Sequence, residues 1–426
     1  MSLLAELRTG KRLDAQSVHN YAWIIAGLNV ASLVYLLATS QQGVDRHGQL
    51  LGTDFLSFWT ASKLLLADMS PYDAASHLAL QQAYFGELQG YFAFFYPPLF
   101  LLFCWPLAPL PYFAALGAWL IITAATFVKA AALWWKQIGS LGSLPLWLLA
   151  YPPVLLTITH GQTSFLSAAL LGAGLYLVPR RPVLAGVLLG LATFKPQFGL
   201  LVPLALLLTR RWTTVAAASL AAFALAALNT VMFGTGVWSD WIAQGSSATE
   251  ALVGGDIGFA KMITVFAGAK LLGAPTWLAY LLQTAAAALV MAAVSWASWS
   301  RGWSDSIAAL VLAGAALTTP FALDYDLLTV GFALVWLAGT GYRDWERWLS
   351  ALVFVAPLFA RPLAMHLQIP VIPLILGALF LAVWRRTMLS PVISRDHNQA
   401  SIICRSTSPA RFWMKLKRCS GLRPIS

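Results

Sequence analysis

The residues of this chain that can do chemistry are few and are set apart by long apolar stretches. Asp54 stands at the head of Phe55, Phe58, Trp59, Ser62 and Leu66, which recur near helical spacing. Lys195, in Lys195-Pro196-Gln197, lies between two apolar runs. His160 and Gln162 share one polar turn, Asp324-Tyr325-Asp326 forms another, and Lys63, Lys261 and Arg361 stand singly. A carboxylate can take a proton from a hydroxyl. Cations can hold an anion such as a phosphate, and amide, imidazole and phenol groups can bond hydroxyls. Ionisable groups near membrane depth are costly and tend to mark functional sites. Lys195 is the sharpest case: a fixed anionic ligand such as a lipid phosphate explains it, and so does a Lys snorkelling to the interface. Asp54 suits a catalytic carboxylate and also a plain helix N-cap. Spacing alone favours the cap.

The elements that must position these residues belong to an all-α, polytopic membrane protein. Of 426 residues, 59% are apolar and 10% charged, against about 25% charged in a soluble domain. Nineteen Trp and 23 Phe suit interfacial belts and packed spans. Cys104, Cys404 and Cys419 are widely separated and without a CxxC pair, so neither a disulfide framework nor a zinc site is expected. The first twenty residues are polar and lack the apolar core of a signal peptide, so the first apolar run is expected to stay as a span.

Apolar runs fall at 21–39, 112–135, 144–159, 165–178, 183–194, 197–208, 214–233, 276–299, 305–319, 326–340, 349–360 and 368–384. Basic clusters between them (Arg8/Lys11/Arg12, Lys136, Arg180-Arg181, Arg210-Arg211, Arg301, Arg343/Arg347, Arg385-Arg386) set the orientation when all are placed in the cytoplasm. Twelve crossings then begin and end inside. Residues 1–20 form a cytoplasmic N-terminus, 21–386 the membrane domain, and 387–426 a basic, disordered cytoplasmic tail. From Arg385 onward nine Lys or Arg face one Asp, which supplies +8 of the net +11. That charge reads as a topology and lipid signal, not as nucleic-acid binding. The first outer loop, 40–96, carries Asp45, Arg46, Asp54, Lys63, Asp68, Asp73, His77 and Glu87, with an interfacial amphipathic helix after Asp54. The second outer loop is 234–275. Residues 97–110, broken by Pro106 and Pro109, read as a jog at the outer interface, because a full crossing there would invert every later helix. Several runs hold only 12–15 residues, about 18–22 Å of helix against a hydrocarbon core of about 30 Å. They point either to a cavity open to the outer face or to long tilted helices split at Pro and Gly.

A series of strings resembles glycosyltransferase family 87. They are Thr53-Asp54-Phe55 to Lys63, Ser70-Pro71-Tyr72-Asp73, Phe95-Tyr96-Pro97-Pro98-Leu99-Phe100, Gly161-Gln162-Thr163-Ser164, Arg181-Pro182, Ala185 to Gly190, Lys195-Pro196-Gln197, Arg210-Arg211-Trp212, Lys261 to Phe266, and Thr319 to Asp326. The resemblance covers roughly 50–340 and implies a GT-C-type membrane enzyme, similar to alpha-1,2-mannosyltransferases. It implies a polyprenyl-phosphate sugar as donor, a glycolipid or glycan as acceptor, and a site on the outer side of a bacterial cell membrane. It also implies Asp54 as catalytic base, with inversion at the anomeric carbon. Lys195, Lys261 and Arg361 are then candidates for the donor phosphate. Gln162, His160, Asp324, Tyr325 and Asp326 are candidates for sugar hydroxyls or for orienting Asp54, and Lys63 for substrate binding.

Two departures matter. Some GT-C enzymes carry paired acids or a metal, whereas Asp54 has no acidic neighbour in sequence, so metal-independent chemistry without a cofactor is expected. Some relatives place a His in the turn that here reads Leu323-Asp324-Tyr325-Asp326. A transporter or flippase of a lipid-linked substrate is the alternative, as is a glycan polymerase or ligase using the same donors. The chain shows no internal repeat of the kind many transporters have.

Overall fold

The computed structural model describes residues 13–46, 48–86, 92–138 and 143–389. The first twelve residues, Glu87 and all but the start of the expected basic tail lie outside the described residues. Regular structure among the described residues is helical, with isolated bridges at Gln41–Val44, Val44–Leu50 and Met262–Leu323.

Five of the twelve apolar runs form helices long and apolar enough to cross a membrane: Ala15–Thr39, Tyr112–Trp135, Trp212–Phe233, Thr276–Arg301 and Val371–Leu389. The pair Glu346–Val355 and Pro357–Leu367, bent by 71°, makes a sixth if counted as one span. Their outward faces carry exposed Ile121, Leu220, Phe223, Val231 and Leu289. Such apolar surface is stable beside lipid, where each helix satisfies its own backbone. Exposed Trp277 and Trp296 flank the Thr276–Arg301 helix. They stand about 29 Å apart along its axis, close to the hydrocarbon thickness.

The remaining runs form shorter helices, and proline is the main reason. Run 144–159 divides at Tyr151 into Leu144–Ala150 and Pro152–His160, because the residue before a proline is driven out of the helical region. Around Lys195-Pro196 the chain tightens into the 3-10 turns Ala192–Phe194 and Pro196–Phe198. These separate helix Pro182–Leu191 from helix Leu201–Leu208. Residues Pro98–Leu107 form a 3-10 turn, one α turn and a second 3-10 turn, too short for a full crossing.

The core is made of helices buried nearly all round: Ser164–Leu177, Asp305–Gly314 and Leu328–Gly339. Thr53–Leu66 joins them, which corrects the expectation of an interfacial amphipathic helix. Phe55 through Ser62 are all buried. Its buried polar residues are small: Ser57 and Ser62 bond the carbonyls of Asp54 and Phe58 within the helix, while the Thr60 hydroxyl is buried without a hydrogen-bond partner among the described residues.

The core helices have two chemically different ends. At one end Arg180 pairs with Asp305 at 2.9 Å, Arg386 with Glu346 at 3.3 Å, Arg347 donates to Leu13 O and Arg301 to Met388 O. Ser164 lies at the other end of the helix that leads to Arg180, about 24 Å away by helical rise. Most of the candidate residues gather at that end, where Asp326 bonds Ser164 and Lys195.

Helices Pro182–Leu191 and Trp212–Phe233 touch through Gly186 and Gly190. A Cβ at Gly190 would lie 2.5 Å from the Ala218 carbonyl oxygen, whereas one at Gly117, on another helix, meets nothing within 4 Å. Small residues of this kind let membrane helices approach closely. Gly190→Ala is expected to lower the thermal midpoint in detergent, a cost of about 1–3 kcal/mol, although alanine is the better helix former. Gly117→Ala should leave the midpoint unchanged or raise it. Equal behaviour of the two variants would contradict this packing.

Candidate functional site

Asp54 is placed by two glycines and an aromatic pair. Gly52, at φ 76°, precedes helix Thr53–Leu66 as its N-cap residue and donates its N–H to Thr159 O at 2.9 Å. Gly161, at φ 65°, ends helix Pro152–His160. A Cβ there would fall 2.5 Å from Phe55 Cβ. The hydroxyl of Tyr112 donates to Gly52 O at 2.8 Å and Trp119 Nε1 to Gly161 O at 3.1 Å. Helix Tyr112–Trp135 thereby pins both turns together. Asp54 is the second helical residue and not the cap, contrary to the simpler expectation. Gly52 occupies the cap in the left-handed region, and the Asp54 carboxylate is free to reach across to Gln162.

Gln162 Nε2 donates to Asp54 Oδ2 at 2.8 Å and to the Tyr325 hydroxyl at 2.9 Å. On its other side Oε1 accepts from Thr163 N at 2.6 Å and from the Tyr96 hydroxyl at 2.9 Å. Asp326, 2% exposed, takes Lys195 Nζ and Ser164 Oγ on Oδ1, each at 2.6 Å, and Leu323 N on Oδ2 at 3.2 Å. Lys195 is itself buried. The fixed anion that its position demands is therefore present within the chain, 131 residues away. Asp324 accepts from Arg361 Nη2 at 2.7 Å and from Tyr325 N at 3.0 Å. Burial pushes the Asp324 carboxyl upward, opposed by the charges of Arg361 and His160. The His160 ring lies 5.9 Å from that of Tyr325, with Nδ1 on Leu156 O at 2.9 Å.

Two expected residues stand apart from this network. Lys63 lies two and a half turns along the helix from Asp54, its Nζ 5.1 Å from the Trp59 ring. Lys261 is exposed and, among the described residues, its side chain makes no hydrogen bond or ion pair with the turns. It adjoins Met262, whose bridge to Leu323 runs beside the Asp324–Asp326 turn. Three residues of the network, Tyr96, Thr163 and Ser164, were not singled out from sequence. Each lies within a string quoted for the resemblance, and that was the available signal.

Charge divides the three carboxylates. Asp326 has Lys195 and Asp324 has Arg361. Among the described residues Asp54 has no cationic partner, and its Oδ1 takes no hydrogen bond. It is held by a neutral amide and is partly open to solvent. Among the described residues no group of three or more His, Cys, Asp or Glu is placed to hold a metal ion.

Fold and site together define an all-helical membrane protein with a polar, carboxylate-bearing centre at one end of its core helices. The family model for glycosyltransferase family 87 matches residues 94–323, more than half of the chain, and the chain belongs to that family. It is a membrane glycosyltransferase. Tyr96, His160, Gln162, Lys195 and Lys261 lie within the matched span, and Asp54, Asp324–Asp326 and Arg361 outside it. No curated protein and no solved structure matches the chain.

Removing one partner of a buried ion pair strands the other charge. Lys195→Met is expected to cost about 3–5 kcal/mol of stability, read as an early thermal transition in detergent. The double variant Lys195→Met/Asp326→Asn should recover a substantial part. If the single variant melts with the wild type, the pair does not have this structural weight.

Proposed function

We propose that the protein transfers a hexosyl group, mannosyl among the candidates, from a polyprenyl-phosphate donor to a hydroxyl of a membrane glycolipid or glycan, with inversion and with Asp54 as general base. The carrying observation is that Asp54 is the one site carboxylate among the described residues without a cation, with one oxygen held and the other open. An ionised carboxylate committed to a buried Lys or Arg is a poor proton acceptor. Asp54 has no such commitment.

In this reading the acceptor oxygen attacks the anomeric carbon as Asp54 Oδ1 takes its proton. The bond from that carbon to the phosphate oxygen breaks on the opposite face, and the electron pair leaves with the lipid phosphate. No general acid is required, because the departing phosphate ester is already a stable anion. Arg361, 28% exposed with one nitrogen on Asp324, and exposed Lys261 are the cations available to the charge that develops there. Their presence suits metal-independent chemistry. Lys195 acts at most through its field.

The site's position supports an extracytoplasmic reaction in the cell membrane. It lies at the end of the core helices opposite the arginine-rich end, which the positive-inside rule assigns to the cytoplasm together with both termini. The twelve-crossing arrangement belongs to the same proposal, with the short helices completing their passage through a cavity that a lipid-borne sugar enters.

The test is Asp54→Asn, assayed by mass spectrometry with a panel of polyprenyl-phosphate sugars and membrane lipid extract. Turnover should fall by about 10²–10⁴-fold while donor binding persists, since the amide keeps shape and loses basicity. Full activity of the variant would remove Asp54 from the chemistry. Consumption of no donor by the wild type would remove the transferase reading of substrate, and an unaffected transport flux would favour a flippase.

A further inference from the structure

Gln162 is 4% exposed, and both ends of its amide are used. Thr163 N, which can only donate, is 2.6 Å from Oε1. The Tyr96 hydroxyl donates to the same oxygen and lies 3.0 Å from Thr163 Oγ1. A rotated amide would set its NH2 against the Thr163 N–H and its oxygen against the Asp54 carboxylate, donor facing donor and acceptor facing acceptor. One orientation survives. In it the NH2 holds Asp54 Oδ2 and the Tyr325 hydroxyl oxygen. Tyr96 is itself fixed: its carbonyl accepts from the Tyr72 hydroxyl at 2.9 Å, and its ring packs 4.6 Å from Phe100 and 5.2 Å from Phe58.

We propose that Tyr96 and Gln162 are positioning residues for Asp54: Tyr96 locks the Gln162 amide, and the amide holds one carboxylate oxygen so that the other is presented to the acceptor hydroxyl. The second N–H of the same amide occupies the oxygen of Tyr325, which turns the phenol proton away from Gln162 and leaves it available to a substrate oxygen. Neither residue carries charge, so Asp54 is oriented without being neutralised. A Lys or Arg in the place of Gln162 would orient the carboxylate equally well and weaken it as a base.

This inference rests on the base role assigned to Asp54, and its test has one arm that needs no turnover. Facing Asp54 are Tyr96, Tyr112 and Tyr325, with the Asp326–Lys195 and Asp324–Arg361 pairs and His160 beyond them. All but the substituted residue are common to the proteins compared. Gln162→Glu places a second carboxyl against Asp54, and two carboxyls sharing a site resist joint ionisation. Gln162→Met removes the donor and adds no charge. Infrared pH-difference spectra, referenced to Asp54→Asn, read the Asp54 carboxyl directly. Its protonation midpoint should move upward in both variants, by about one pH unit or more for Gln162→Glu.

With turnover, the acid limb of kcat/KM should move the same way. Tyr96→Phe should lower kcat by about tenfold, as misplacement of a reacting group does, with donor KM within about twofold. Unmoved midpoints in folded Gln162 variants, or wild-type kcat in Tyr96→Phe, would overturn the proposal. A wild type that consumes no donor defeats the reading under Proposed function instead, and the infrared arm still decides this one.

Discussion

Helices of 14, 10 and 12 residues rise about 21, 15 and 18 Å, and a hydrocarbon core is about 30 Å thick. Ser164–Leu177, Pro182–Leu191 and Leu328–Gly339 are therefore too short to cross such a core alone, and the buried turns that end them must satisfy their backbone groups within the protein. Asp326 answers much of that requirement alone. It caps its own turn through Leu323 N, takes Ser164 from the start of a neighbouring helix, and takes Lys195 from the turn after a third. A carboxylate with three donors, one of them a paired cation, is stable where an isolated one is not. Remove that junction and the three turns have no common point.

The same physics explains why Asp54 can remain unpaired. It is partly exposed, so part of its hydration survives and burial alone does not demand a cation. The aromatic packing beneath it (Phe55 with Tyr112 and Trp119, Phe58 with Phe100) keeps its helix fixed although the carboxylate is not locked by an ion pair. Rigidity comes from rings and one amide.

Much of the fold was legible in the sequence because apolar periodicity and proline are local signals. Run 112–135 is the helix Tyr112–Trp135 to the residue, and the breaks at Pro152 and Pro196 lie where the prolines are. What the sequence does not reveal is what covers an apolar helix. Ser164–Leu177 and Trp212–Phe233 are both strongly apolar, yet the protein covers the first and leaves most of the second exposed. The expected amphipathic helix at 53–66 failed for the same reason, since its polar face is Ser and Thr, which a core accepts. In the site, charged residues stood out against an apolar background. Tyr96, Thr163 and Ser164 did not, because hydroxyls are common and their meaning depends on which turns meet. Lys195 announced the need for an anion but could not say that Asp326, far along the chain, was already that anion.

The two ion pairs differ in burial, and that difference separates support from contact. Lys195 and Asp326 are 3% and 2% exposed, whereas Arg361 and Asp324 are 28% and 10%. The inner pair exchanges little with solvent or substrate and behaves as framework. Arg361 of the outer pair sits on helix Pro357–Leu367, which starts at Pro357 just after a 71° bend, and Asp324 on the turn Asp324–Leu327. Arg361 has five donors, and Asp324 engages one of its nitrogens. A planar guanidinium can therefore keep Asp324 and still present a second edge to an anion, a geometry that a lysine at the same position could not offer. From Asp326 outward through Asp324 to Asp54, carboxylate commitment decreases as access increases. That ordering leaves the most accessible carboxylate the least committed, while the buried charges beneath it hold the turns in place.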